Sequence, residues 1–195
     1  RNRRLVAGYW LMFTEVNEMA NVDHIKHTIV LSEGVSASIT DDVVTLSKDG
    51  KSISREFEHR RVSITIEDGL PTVFCDVPRR KEKAICGTWA AHLRNMNKGI
   101  SDGFEYRLKA VYSHFPMTLK VEGSVLTITN LFGERVPRKA ELPWTPAEVT
   151  VKVESKTNVV VSGADREKVG QTSANIERAC RIRRRDRRVF QDGVY

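Results

Sequence analysis

The chain reads as an α+β protein of two tandem, similar domains, each an antiparallel β-sheet with one α-helix packed on one face. Three observations predict this. The apolar pattern runs with period two through several short segments, changes to helical spacing once, and then repeats the whole cycle. Val43-Val44-Thr45-Leu46 ahead of Gly50 recurs as Val125-Leu126-Thr127-Ile128 ahead of Gly133, and Gly87, Ala91, Leu93 and Arg94 recur as Gly170, Ala174, Ile176 and Glu177, the last pair differing, at an offset of 82 to 83 residues. With 195 residues, 40% of them apolar, there is material for two small cores.

The elements of the first unit follow in order. Residues 35 to 40 and 43 to 48 alternate or run β-branched, and Asp49-Gly50 is a hairpin signal because type I′ turns need positive φ. Residues 51 to 57 continue as a strand. Val62, Ile64 and Ile66 alternate with Ser63, Thr65 and Glu67 as a half-buried strand, and after Asp68-Gly69 a short strand at 72 to 76 leads to Pro78. A helix comes next, with Ile85, Trp89, His92, Leu93 and Met96 on one stripe and Arg94, Asn95 and Lys98 off it, closed by Gly99.

The second unit opens with 104 to 112, where Phe104, Tyr106, Leu108, Ala110 and Tyr112 alternate with Glu105, Arg107, Lys109 and Val111. Strands are predicted at 117 to 122, 125 to 130, 135 to 142, 148 to 154 and 157 to 162, ended by Gly163. Asp165 is placed to N-cap a helix from Arg166 to about Arg181, buried through Val169, Ser173, Ile176 and Cys180. The expected domains are therefore an N-terminal extension at 1–24, sheet-plus-helix domains at 25–103 and 104–182, and a basic C-terminal tail at 183–195.

The extension begins with Arg1, Arg3 and Arg4 ahead of the apolar run Leu5 to Phe13, which imitates a signal peptide. Acids follow at Glu15 and Glu18 without a small-residue cleavage pattern, and the run is far short of the roughly 20 apolar residues that span a bilayer. Neither secretion nor a membrane is expected.

Charge is the feature that points to function. The formal net charge is +7, and between Arg178 and Arg188 seven arginines face one acid, Asp186, so nearly all the excess sits in one run. Crowded guanidinium groups disfavour compaction unless a counter-charge is supplied. Their planar forks match phosphate oxygens bidentately, and a polyphosphate backbone is the natural partner. Arg181, Arg183, Arg184, Arg185, Arg187 and Arg188 are assigned to RNA backbone, with Lys168, Gln171 and Asn175 as neighbours on the exposed helix face. Arg178 and Arg181 suit RNA and the negative end of the helix dipole equally. Phe190 and Tyr195 either stack on bases or pack on protein. Arg79, Arg80, Lys81 and Lys83 form a second basic patch at a helix start, where cations oppose the dipole, so contact with RNA or a neighbouring protein is favoured. Arg135, Arg138 and Lys139 read as basic residues that keep a strand edge soluble.

No catalytic residue, metal or cofactor is expected. His24, His27, His59, His92 and His114 do not combine with acids or cysteines at ligand spacing, and His24-x-x-His27, even as a helix, offers only two ligands. The three cysteines, Cys75, Cys86 and Cys180, are an odd number without paired spacing, which argues against a disulfide framework or a zinc site and for a reducing compartment. No phosphate-binding loop, dinucleotide fingerprint or nucleophile elbow occurs.

Arg79-Arg80-Lys81-Glu82-Lys83-Ala84, the stretch from Tyr106-Arg107-Leu108 to Tyr112-Ser113-His114-Phe115-Pro116-Met117, and the ending Arg185-Asp186-Arg187-Arg188-Val189-Phe190-Gln191-Asp192-Gly193-Val194-Tyr195 resemble the large-subunit ribosomal proteins of the L-six family in its archaeal form, whose eukaryotic counterpart is called L-nine. The resemblance covers roughly residues 25 to 195. It implies a cytoplasmic component of the large ribosomal subunit that binds large-subunit rRNA, mainly through the second domain and the tail. It further implies neighbouring ribosomal proteins as partners and a position near the sarcin-ricin loop, where elongation factors dock. No small-molecule substrate is implied. Residues 1 to about 20 have no counterpart, and Arg184 stands where relatives often carry a small residue, so the resemblance leaves the path of the chain open there. The alternative is a free-standing RNA-binding module that stacks bases on a sheet surface, but the aromatic string such modules carry is missing.

Overall fold

The computed structural model describes residues 24–186 and 188–195; the 1–23 segment and Arg187 lie outside the described residues. The first domain contains β1 (His24–Thr28), β2 (Ser36–Thr40), β3 (Val43–Lys48), β4 (Lys51–Glu56), β5 (Ser63–Glu67), β6 (Leu70–Asp76) and α1 (Arg80–Ser101). The second contains β7 (Phe104–Val111), β8 (Thr118–Glu122), β9 (Val125–Thr129), a 3-10 turn at Leu131–Gly133, β10 (Arg138–Glu141), β11 (Val149–Val153), β12 (Asn158–Gly163), α2 (Arg166–Ala179) and β13 (Gly193–Val194).

All pairings are antiparallel, but the strands of each domain are shared between two sheets rather than one. The orders β2-β3-β4 and β8-β9-β10 correspond, with the repeated motif on the central strand of each. The orders β5-β6-β1 and β11-β12-β7 correspond likewise, and only the second domain adds β13 outside β7. Hairpins form where the sequence places Asp-Gly pairs: Asp49 and Gly50 have φ of 49° and 77°, the two positive values a tight hairpin turn requires.

Each domain closes its own core. Val44, Leu46, Val73 and Cys75 meet Cys86, Ala90 and Leu93 of α1, while Leu126, Ile128, Val159 and Val161 meet Val169 and Ile176 of α2. Fully burying each such aliphatic side chain contributes about 1.5–3 kcal/mol. The helical stripes are those the spacing predicts, which is why both helices lie where they were expected.

Four details differ from expectation. Gly99 does not close α1, which continues to Ser101 and gives way at Gly103, φ 76°. Gly99 is instead a close-approach site: a Cβ there would lie 1.9 Å from the carbonyl oxygen of Ala164 in the second domain. The strand expected at 135–142 starts only at Arg138, because Pro137 cannot donate to a ladder. The helix expected to reach about Arg181 ends at Ala179. His24 and His27 lie on a strand, and residues three apart on a strand point to opposite faces.

The segment 183–195, expected as an appended tail, is also only partly a tail. Its end returns to the body as β13, pairing Gly193 with Val111 and Val194 with Ala110, and Val194 is fully buried. Asp192, 7% exposed, accepts hydrogen bonds from the Ser113 amide at 3.1 Å and hydroxyl at 3.2 Å. A buried carboxylate is tolerated only when hydrogen-bonded in this way.

Candidate nucleic-acid interface

The arginine run is a loop held at both ends. At its start, α2 is capped at the N-terminus by Asp165, whose side chain accepts from the Glu167 amide at 2.8 Å. Its C-terminus is finished by a residue from another strand. The Arg138 guanidinium forks onto Glu134, at 2.9 Å from Nε and 2.8 Å from Nη2, and its Nη1 donates to the carbonyls of Ala179 at 3.2 Å and Arg181 at 2.8 Å. One cation thereby takes the last α2 carbonyl and the second carbonyl of the run beyond it, fixing where the run departs. The Arg138 hydrogen bonds, with charge from Arg138 and Arg185, hold the Glu134 carboxyl below the usual carboxylate range, while burial works against them.

The loop is shaped from within. Arg184 has φ 58°, the left-handed region that glycine tolerates and arginine rarely adopts. The chain can turn here because Asp186 follows: its carboxylate accepts from the Arg188 amide at 2.9 Å, Nε at 3.2 Å and Nη2 at 3.0 Å. These bonds, side-chain first, hold the Asp186 carboxyl below its ordinary value. Phe190 then anchors the outgoing chain edge-to-face on Phe132, centroids 5.7 Å apart, with the Arg185 guanidinium over the Phe190 ring at 4.8 Å and also facing Phe132 at 5.9 Å. Cys180 is buried where the run leaves α2, and burial pushes its thiol up.

Arg178, Arg181, Arg183, Arg184, Arg185 and Arg188 are all exposed. Arg188 is paired with Asp186. Among the described residues, Arg178, Arg181, Arg183, Arg184 and Arg185 have no carboxylate at ion-pair distance. Arg187 lies outside the described residues.

The neighbours on α2 divide. Gln171 donates to Asn175 at 2.9 Å, and Asn175 donates to the Glu141 carbonyl at 3.4 Å, so the two form a polar strip on the helix leading toward Arg178. Lys168 stands apart from the run, ion-paired with Glu148 beside the cleft between the domains. Phe190 packs on protein, whereas Tyr195 is 53% exposed.

The second patch is built differently. Arg79, Arg80, Lys81 and Lys83 are exposed around the first turn of α1, whose N-cap residue, Arg79, makes no side-chain capping bond. Glu82 turns inward among them, with one carboxylate oxygen 4.0 Å from Arg61 and the other buried without a partner.

Sequence reasoning missed Arg138, the clamp of the loop, and Phe132, its aromatic seat. The available signal for the first was Glu134 four residues before it; nothing local marked the second.

The model of the family described as "Ribosomal protein L6" matches this chain twice, at residues 31–103 and at 115–193, the first match running from after β1 through α1 and the second from after β7 through α2. The chain belongs to the ribosomal protein L6 family. The second match runs through the arginine loop and ends at Gly193, the first residue of β13. Among its relatives, the "Large ribosomal subunit protein uL6" of Methanosarcina mazei is 44% identical over 174 residues, covering 89% of this chain and 97% of the relative. The proteins of the same name from Methanosphaera stadtmanae and Methanobrevibacter smithii are 42% identical over 177 residues and 43% identical over 171 residues. Those alignments cover 91% and 88% of this chain and 95% and 94% of the relatives. These L6 relatives are archaeal, and their names describe constituents of a ribosomal subunit rather than enzymes.

Proposed function

We propose that this ribosomal protein binds large-subunit rRNA chiefly through the second domain and the loop from Arg178 to Arg188. The observation that carries the reading is a set of five exposed arginines on the last turn of α2 and the loop after it, without carboxylate partners among the described residues and flanked by the contacts of Arg138, Phe132 and Asp192, an arrangement suited to phosphate contacts. Arg181, Arg183, Arg184, Arg185, Arg187 and Arg188 meet the sugar-phosphate backbone. Gln171, Asn175 and Arg178 extend that surface along α2, and Lys168 lies at its margin. Arg79, Arg80, Lys81 and Lys83 form a second contact, with rRNA or a neighbouring ribosomal protein. Family membership supports a site near the sarcin-ricin loop and the region where elongation factors dock.

A salt titration of the full chain on large-subunit rRNA tests this. With about five of these arginines each meeting one phosphate, at roughly 0.7 to 0.9 per contact, the slope of log K against log salt is about −4. A slope near zero removes the loop from the interface.

A further inference from the structure

The last turn of α2 and the returning C-terminal segment line an open-sided cavity of about 410 Å³, walled in part by Glu177, Arg178, Arg181, Ile182, Gln191 and Tyr195. Resting on the rRNA-binding reading above, we infer that this cavity receives a single unstacked rRNA nucleotide, its base against the Tyr195 ring and its phosphate against Arg178 and Arg181.

The platform is fixed before any ligand arrives. Tyr195 exchanges backbone hydrogen bonds with Lys109, donating at 3.0 Å and accepting at 2.6 Å, and its hydroxyl donates to the Gln191 carbonyl at 3.2 Å. The ring folds back over Gly193, where a Cβ would come within 2.9 Å of it. One side of the ring is therefore seated on backbone while the residue stays 53% exposed. An aromatic ring held in this way stacks a base with little further loss of freedom, and every base offers a π-face.

The charges fit a phosphate. A bare helix C-terminus repels anions, but the carbonyls here are occupied: Glu177 and Arg178 accept from the amides of Cys180 at 3.0 Å and Arg181 at 3.1 Å, and Ala179 and Arg181 accept from Arg138. Arg178 and Arg181 remain without carboxylate partners among the described residues. Beside the two arginines the cavity presents acceptors: Glu177 offers a carboxylate, and Gln191, whose amide nitrogen donates to the Arg188 carbonyl at 3.1 Å, offers its side-chain oxygen. Acceptors of this kind suit a base with an exocyclic amine. The volume lies within the range of about 300–1,000 Å³ usual for small-ligand sites.

The test uses large subunits assembled with the full chain and probed with dimethyl sulfate and a 2′-hydroxyl acylating reagent. Tyr195→Ala is expected to change reactivity at one nucleotide, to weaken binding about tenfold and to leave the salt slope in place. Tyr195→Phe, which keeps the ring, retains the wild-type pattern. Gly193→Ala, which pushes the ring off its seat, shares the Tyr195→Ala change. A Tyr195→Ala footprint identical to wild type, or a diffuse change shared by Tyr195→Phe, overturns the nucleotide pocket while the loop reading stands. A wild-type chain with no footprint and a salt slope near zero overturns both.

Discussion

In the first domain the sheet β5-β6-β1 stops at β1 among the described residues, whereas in the second the equivalent edge, β7, is covered by β13. The helices differ in the same sense. α1 starts at an uncapped arginine within a cluster of cations, while α2 is capped by Asp165 at one end and by Arg138 at the other. One fold, used twice, thus carries two kinds of basic surface. The first is a set of side chains on a helix start, and the second is a loop whose shape is imposed by contacts on both sides. The lesson is that the second surface presents a defined spacing of charges, and the first presents charge alone.

The contrast can be broken most strongly at the join between the domains. Gly87 of α1 faces open space, but Gly99 abuts the second domain. Gly99→Ala is expected to lower stability by about 2–3 kcal/mol through overpacking against backbone, whereas Gly87→Ala is expected to raise it by up to about 1 kcal/mol through helix propensity. Thermal unfolding of the two variants checks the pair, and a Gly99→Ala protein as stable as wild type would remove the close contact.

Next in size is the clamp. Arg138→Ala removes a bidentate ion pair and two carbonyl contacts on a side chain only 22% exposed, and is expected to cost about 1.5–3 kcal/mol. It should also reduce the salt slope, because the loop loses its register, while Arg79→Ala should leave the unfolding midpoint unchanged. The clamp has a definite pH dependence. Glu134 is held below its reference value of 4.5, so its contribution is complete above that value and is lost as pH falls through the lower folded one. Acid unfolding of Arg138→Ala should accordingly show a smaller loss of stability below about pH 4.5 than wild type.

The smallest effect sharpens the helix comparison. Asp165→Ala should cost about 1 kcal/mol, and Arg79→Ser should stabilise α1 by a similar amount by supplying the missing cap. Urea midpoints that move in the same direction would refute the assignment of caps.

Local chemistry made much of this legible in advance. Strand alternation, Asp-Gly turns, the Asp165 cap and the two apolar stripes depend on near neighbours in the chain, and they reappear in the structure at nearly the expected residues. The arginine run and its exposure were legible for the same reason, since a single acid, Asp186, stands among seven arginines. Phe190 and Tyr195 looked equivalent, yet one packs on Phe132 and the other is left half exposed over Gly193. Their fates depend on residues far away in sequence.

Read alone, the chain therefore specified two repeated domains, their helices and the place of the surplus charge, because periodicity and composition act over a few residues. Folding alone decided that Gly99 meets Ala164, that Arg138 reaches Ala179 and Arg181, and that the final residues pair with β7. Those are contacts between segments tens of residues apart, and no local pattern encodes which distant partner will satisfy a carbonyl, a ring or a strand edge.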